Sequence, residues 1–503
     1  MCRVLNSSYN TLVFRCDGPN KSSCFKGETH YLIFMCKLTA LIFLLAICLN
    51  ALAQQVSYNP IIPDNLADPT IVQFGDTFYL YATSDVGDLK SDLSFSGNPV
   101  VWKSKDFVNW SFEGISFPGI DWSKTRYWAP GRVILKNGKY YLFFTSEGAT
   151  HIAVADRPEG PFKMVNGLVK FTGKEKEAMI VEDIDGCPFI DDDGQGYLFW
   201  RKRKASRLTS DLLHKEGETI DIATRWKGYS EGPFMIKRNG IYYYFYTMGG
   251  YGDYQYAYQM SRNSPFGPFE TPEKDVVLST NLQTQIWGPG HGFAFNLNNT
   301  DEWIFVYLEY GIGGTSRQIY ANRMEFNPDG TIKPINPDRR GVGPLAKVKQ
   351  PVPMDLSKAI ATASSTRDPL TVQPRRWNNN AELCFHLPDT LPERIQTFNA
   401  ENALDHSNFT EWWATPGDTN KWWKIDLGKV RKLNHCEIFF VHPTLGHAFV
   451  VEKSIDGKNW QIVAEEKIRA FRSPHEAGMI GKCRFLRVHI LEGTPGIWEM
   501  KFY

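Results

Sequence analysis

The sequence predicts an all-β protein, a five-bladed β-propeller followed by a second β domain. Three observations carry that expectation. From Ser57 to about Lys349, short aromatic and β-branched runs alternate with Gly, Asn and Asp turns, and helix-period patterning is nearly missing. One aromatic unit recurs there five times at intervals of about 45 to 60 residues, a blade signature, because each small sheet needs neighbours to cover its faces. Beyond Lys347–Pro353, a stretch with two prolines, the repeat stops while strand-and-turn alternation runs on to Tyr503. A β-sandwich also strings short strands together, but its turns do not recur as whole motifs at this spacing.

The N-terminus is set aside first. Met35-Cys36-Lys37 gives a basic start, Ala40 to Leu49 an apolar run too short to span a bilayer comfortably, and Ala51-Leu52-Ala53 a small-residue cleavage site. The expectation is a signal peptide over 35–53, a mature chain from Gln54, and a secreted or periplasmic protein with no membrane span. Residues 1–34 read as an upstream extension from a start codon placed too early. Leu45-Ala46-Ile47-Cys48 faintly resembles a lipoprotein box, but Ile47 is bulky where such boxes are small, so a lipid anchor ranks second.

The five echoes are Gly75–Ser84, Asn137–Ser146, Gly194–Trp200, Asn239–Thr247 and Asp301–Tyr307. Asn137-Gly138 and Asn239-Gly240 are hairpin signals. Asp191-Asp192-Asp193-Gly194 reads as a solvated hairpin turn rather than a metal loop. Tyr242, Tyr243 and Tyr244, consecutive in one strand, must face both sides. The propeller is assigned to 54–349 and the second domain to 350–503.

Charge and cysteine content limit the function classes. Lys plus Arg number 56 against 55 Asp plus Glu, so no bulk electrostatic case exists for nucleic acid. Of nine cysteines, five lie in the N-terminal segment. The others, Cys187, Cys384, Cys436 and Cys483, lack zinc-site spacing, and an oxidising compartment permits disulfides among the last three.

What precedes each echo is chemical. Asp68 in Ala-Asp-Pro, Trp128 in Tyr-Trp-Ala-Pro, Asp185 in Ile-Asp-Gly-Cys, Glu231 in Glu-Gly-Pro and His291 in Gly-His-Gly recur at the blade period. The innermost strand of a propeller blade starts near the axis, so these positions are expected to converge on one cavity. Three carboxylates there suit glycosidic hydrolysis: a general acid, a general base set back far enough to admit water, and a third carboxylate that raises the acid's pKa by repulsion. Singly, Asp68 could only cap a turn and His291 only make a structural hydrogen bond. Together they are hard to explain that way.

At these residues the chain resembles glycoside hydrolase family 43, the five-bladed inverting enzymes of arabinan, xylan and arabinogalactan breakdown. The resemblance implies Asp68 as general base, Asp185 as pKa modulator and Glu231 as general acid. It also implies Trp128, Trp287 and His291 as substrate-binding positions, with His291 holding a central calcium through water in many members. No cofactor is required. Gly186 departs from the proline many members carry after the modulator aspartate. The implied substrate is a polysaccharide or oligosaccharide with a terminal α-L-arabinofuranose, then β-D-xylose, while β-D-galactofuranose or β-1,3-linked galactose is the alternative. A non-catalytic glycan-binding protein is the reading from another class.

The second domain shows Phe398–Asp405, Thr410–Trp413, Trp422–Gly428, Ser454–Trp460 and Gly496–Tyr503. It resembles the discoidin or coagulation-factor type C module, a jelly-roll sandwich that often binds glycans. That resemblance implies a structural calcium at Asp405, Asn408, Thr410 and Glu499; an acid-rich loop without metal is the competing reading. Trp412 and Trp413 are candidates for a sugar platform, though adjacent strand residues cannot both face out.

Overall fold

Two hairpin tips show how local chemistry sets the blades. Asn137-Gly138 and Asn239-Gly240 both take positive φ at each residue, the conformation a tight two-residue hairpin needs. Each tip joins a first strand to a strand buried over most of its length. In the second of these, Tyr243 and Phe245 enter one hydrophobic core while Tyr242, Tyr244 and Tyr246 enter another. A blade between two neighbours has no solvent face, which is why three consecutive tyrosines are all buried.

The computed structural model describes residues 57–503 except 88–95, 124, 166–178, 251, 299, 311–316, 373–381 and 384–393. The expected signal peptide, the 1–34 extension, Gln54 and Cys384 lie outside the described residues. Five antiparallel blades follow in chain order. Blade 1 holds Leu66–Phe74, Thr77–Ser84 and Val101–Ser104; blade 2 holds Ile134–Lys136, Lys139–Ser146 and Ala149–Ala155. Blade 3 runs from Cys187–Ile190 to Lys215–Asp221, blade 4 from Ser230–Arg238 to Val276–Leu278, and blade 5 holds Gly290–Asn296, Trp303–Tyr310 and Arg317–Met324. Residues 59–61 close the ring against Arg317–Met324. There the Ile61 N–H donates to Ile319 O at 2.9 Å, and the Asn59 amide brackets Ala321, accepting from its N–H and donating to its carbonyl.

The C-terminal part is a β-sandwich around two long strands, Trp422–Phe440 and His475–Glu492, with its own apolar core. Trp412 and Trp413 are both buried in it, so neither is an open sugar platform. Cys187, Cys436 and Cys483 are buried and unbridged. The sandwich joins blade 1 by strand pairing, Arg472–Ser473 against Phe112–Glu113, and by the Ser84–Thr444 hydroxyl contact at 2.9 Å. It joins blade 5 where the Gln318 amide donates to Asn408 O. Among the described residues no helix is long and apolar enough to cross a membrane.

Candidate active site

Each inner strand begins at a kink whose first residue is left-handed: Asp68 (φ 51°), Ala129 (40°), Asp185 (65°), Gly232 (53°) and His291 (30°). Proline or glycine follows every one. Strand pairing slips at this point in blades 1, 4 and 5, which marks β-bulges, devices that re-aim side chains. The recurring sequence motif is therefore the left-handed kink, which in three of the five blades is a bulge. Trp128 and Glu231 stand one residue before it, so they are not the strict equivalents of Asp68, Asp185 and His291. Only glycine serves at 232, because a Cβ there would meet His291 Cγ at 2.8 Å.

Threonines on the neighbouring strands pin the bulges. Thr83 Oγ1 accepts the Ala129 N–H at 2.8 Å and donates to Asp68 Oδ2 at 2.6 Å. Thr145 Oγ1 accepts the Asp185 N–H and Thr247 Oγ1 the His291 N–H, both at 2.9 Å. Blade 3 has no threonine on its second strand, and the Gly232 N–H goes instead to Asp185 Oδ2 at 3.1 Å.

The bulges bring the predicted residues together. Asp68, Asp185 and Glu231 are 7, 5 and 7 % exposed. His291 Nδ1 lies 3.4 Å from Asp68 Oδ1 and 3.9 Å from both Asp185 Oδ2 and Glu231 Oε1. Asp68 and Glu231 thus flank one imidazole. The two carboxylates approach the same imidazole nitrogen, Asp68 at 3.4 Å and Glu231 at 3.9 Å.

Four more residues complete the site. Arg317 places Nη1 3.2 Å from Asp68 Oδ1 and grips Asp85 with Nε and Nη2, each at 2.8 Å. Tyr229 and Tyr254 donate their hydroxyls to Glu231 Oε2 and Oε1. Sequence reading missed all four. One signal was present for Asp85: Thr83-Ser84-Asp85 is echoed by Thr145-Ser146-Glu147, an acid after the same pair in two blades.

The charges in this cluster are interdependent. Burial raises the Asp185 carboxyl, His291 lowers it, and Glu231 and Asp68 raise it further, leaving it at about 7. Burial lowers His291, but Asp68, Asp185 and Glu231 raise it to about 9, so it is an imidazolium at neutral pH. Burial raises Glu231, and His291 with the two tyrosines outweighs this and leaves it below the ordinary glutamate value. The expected net rise at Glu231 is therefore not found. Donors surround that carboxylate, and Asp185 bears the repulsion.

Half-buried Trp128 carries the Arg126 guanidinium 4.6 Å over its ring. Trp287 is 2 % exposed, with Arg394 stacked on it at 3.3 Å. Nδ1 of His291 and oxygens of Asp185 and Glu231 lie within 4.8 Å of one another, a spacing a cation could share. The axial cavity beside His291 has about 20 Å³, room for one water-sized molecule and too little for calcium with its water shell. In the sandwich the donor set fits better. Asp405 accepts from Ser407 N–H and Thr410 Oγ1, and Glu499 accepts the His406 N–H while its buried Oε1 has no hydrogen-bond partner. Burial, then Asp405, pushes the Glu499 carboxyl well up, with Lys501 opposing them and His406 Nδ1 3.6 Å from Oε1. Asn408 turns away, its amide donating to Pro60 O.

The comparisons agree with this geometry. The profile of glycosyl hydrolases family 43 matches residues 57–332, and that of the NedA-like, galactose-binding domain matches 402–477. A β-D-galactofuranosidase of Aspergillus niger is 31 % identical over 306 residues, covering 56 % of this chain and 86 % of that protein. An arabinoxylan arabinofuranohydrolase of Bacillus subtilis is 27 % identical over 352 residues, covering 58 % and 66 %. A solved structure described as a glycoside hydrolase is 44 % identical with a TM-score of 0.82, covering 88 % of this chain and 98 % of that one. With the family profile spanning more than half its length and three carboxylates gathered at the propeller axis, the chain belongs to glycosyl hydrolase family 43 and is an inverting glycoside hydrolase.

Proposed function

We propose that the enzyme removes one terminal furanosyl residue from a plant-type polysaccharide, with α-L-arabinofuranose as the first substrate. Asp68 deprotonates a water that attacks the anomeric carbon, the glycosidic bond breaks on the opposite face, and Glu231 protonates the departing oxygen. The carrying observation is that Asp68 and Glu231 flank His291 at 3.4 and 3.9 Å. Asp185 and His291, at about 7 and about 9, store protons 3.9 Å from each other, and the latter lies as close to Glu231. The reading requires Glu231 to carry a proton in the substrate complex, and the cation beside it is His291 at 3.9 Å. The deep burial of all three carboxylates supports an end-on pocket and exo action over an open groove.

β-D-galactofuranose is the second reading, favoured by the Aspergillus niger relative. It has the ring configuration of α-L-arabinofuranose with one more CHOH outside the ring. β-D-Xylose ranks behind both. The test is a panel of aryl arabinofuranosides, galactofuranosides and xylosides, with proton NMR of the first-formed sugar. Turnover of a furanoside with inverted configuration supports the proposal; turnover of xyloside alone, or of none, overturns it. Secretion through 35–53 is part of the proposal, checked by N-terminal sequencing that finds Gln54. So is a calcium at Asp405 and Glu499, checked by a calcium-dependent rise in melting temperature that Glu499→Gln abolishes.

A further inference from the structure

Glu231 is held by two phenols, and the segment leading to each meets residues 382–383 of the C-terminal part. Tyr229 lies two residues past Lys227. There the Glu382 N–H donates to Lys227 O at 3.0 Å, and Glu382 Oε2 accepts the Lys227 N–H at 3.2 Å. Tyr254 lies five residues past Gly249. Gly249 takes φ +77°, and a Cβ there would stand 3.2 Å from Leu383 Cδ2, a side chain that packs onto the aromatic core of blade 4.

The far side of Tyr254 is braced as well. Its ring lies 5.2 Å from that of Tyr310, whose N–H donates to Trp287 O at 2.9 Å. The Trp287 N–H donates to Glu309 Oε1 at 3.0 Å, and Arg394 covers its indole at 3.3 Å. Arg394 also donates to Gln285 O and stands 3.9 Å from Glu309 Oε1, with side chains 10 and 1 % exposed. A buried charge pair spends much of its attraction on desolvation, so what it contributes best is a defined position.

We propose that the C-terminal part, through residues outside its main sheet, is a working part of the catalytic centre: Glu382, Leu383 and Arg394 are positioning residues that fix Tyr229 and Tyr254, and through them the placement of Glu231 against the leaving oxygen. This rests on the reading of Glu231 as proton donor. A purely adhesive role would change melting temperature without changing how the rate depends on the leaving group. A positioning role shows where protonation matters most, on poor leaving groups.

The test compares kcat and KM of the full chain on a 4-nitrophenyl and an unactivated phenyl glycoside of the sugar wild type hydrolyses, with melting temperatures alongside. Arg394→Met and Glu382→Ala are expected to lower kcat on the phenyl glycoside about tenfold, with less than about threefold loss on the nitrophenyl one and little change in KM. Arg394→Lys restores part of the loss. Tyr254→Phe steepens the same dependence, and Tyr254→Phe with Arg394→Met is no worse than Tyr254→Phe alone, because both act through one hydroxyl. Glu382 is exposed, so its variant folds even where Arg394→Met does not. If Tyr254→Phe steepens the dependence while both sandwich variants leave it unchanged, the inference falls and the acid assignment stands. If Tyr254→Phe itself leaves it unchanged, or wild type cleaves neither glycoside, the acid assignment falls and the inference with it.

Discussion

Arg317 shows how one side chain can organise a base. Its guanidinium spans Asp68 and Asp85 and is nearly buried, so it fixes the direction of the Asp68 carboxylate without meeting the sugar. Arg317→Met is expected to lower kcat about 10- to 100-fold by leaving Asp68 misaligned and Asp85 unpaired, with KM changed far less, as steady-state kinetics on an aryl glycoside would show. At this scale the sequence was readable where chemistry coincided with repetition. Asp68, Asp185 and His291 recur at the blade period before proline or glycine, and Glu231 stands one residue ahead of that point. Arg317, Tyr229 and Tyr254 carry no such mark. They matter because strands distant in sequence bring them to those carboxylates, and no local pattern encodes that approach.

The β-bulge is the element that places the acids. Its left-handed residue costs about 1–3 kcal/mol wherever it is not glycine, so the surroundings must hold it there. The threonine hydroxyls do this. Thr83→Val leaves the Ala129 N–H without its acceptor and Asp68 Oδ2 without the threonine hydroxyl, and is expected to cost about 1–3 kcal/mol of stability along with activity. Thermal denaturation and kcat measured on the same sample would check both. The strands and hairpin tips were legible because asparagine-glycine turns and period-two aromatics are local rules. The bulge was not. An Asp-Pro pair also suits a plain turn, and only the strand register reveals the extra residue that puts Glu231 one step out of line.

Across the whole molecule, the ring and the sandwich answer to different stresses. The ring is closed by hydrogen bonds between residues 59–61 and Arg317–Met324, so deleting residues 57–62 is expected to lower the melting temperature by several degrees and to broaden the transition. The sandwich should be acid-sensitive. Burial, then His475, lowers His447 to about 3, and burial likewise lowers His475 to about 3. Both are neutral when folded and protonate near 6.5 when unfolded. Their stabilisation is complete above about 6.5 and lost as pH falls toward 3, at roughly 1.4 kcal/mol per pH unit for each histidine. His447→Gln should flatten that dependence in denaturant titrations between pH 4 and 7. The two-part architecture was readable from the end of the blade repeat at the two prolines. That the C-terminal part touches the segments leading to Tyr229 and Tyr254 was not, since Glu382 and Arg394 sit in a stretch without motif or periodicity.

The central claim is that Glu231 protonates the leaving oxygen. It is tested most directly by kcat of Glu231→Gln relative to wild type on two glycosides of one sugar, unactivated phenyl and activated 2,4-dinitrophenyl. A proton donor predicts a loss of about 10²- to 10⁴-fold on the phenyl glycoside and little loss on the dinitrophenyl one, whose phenolate departs unaided. Equal losses on both, or no loss on the phenyl glycoside, would contradict the assignment.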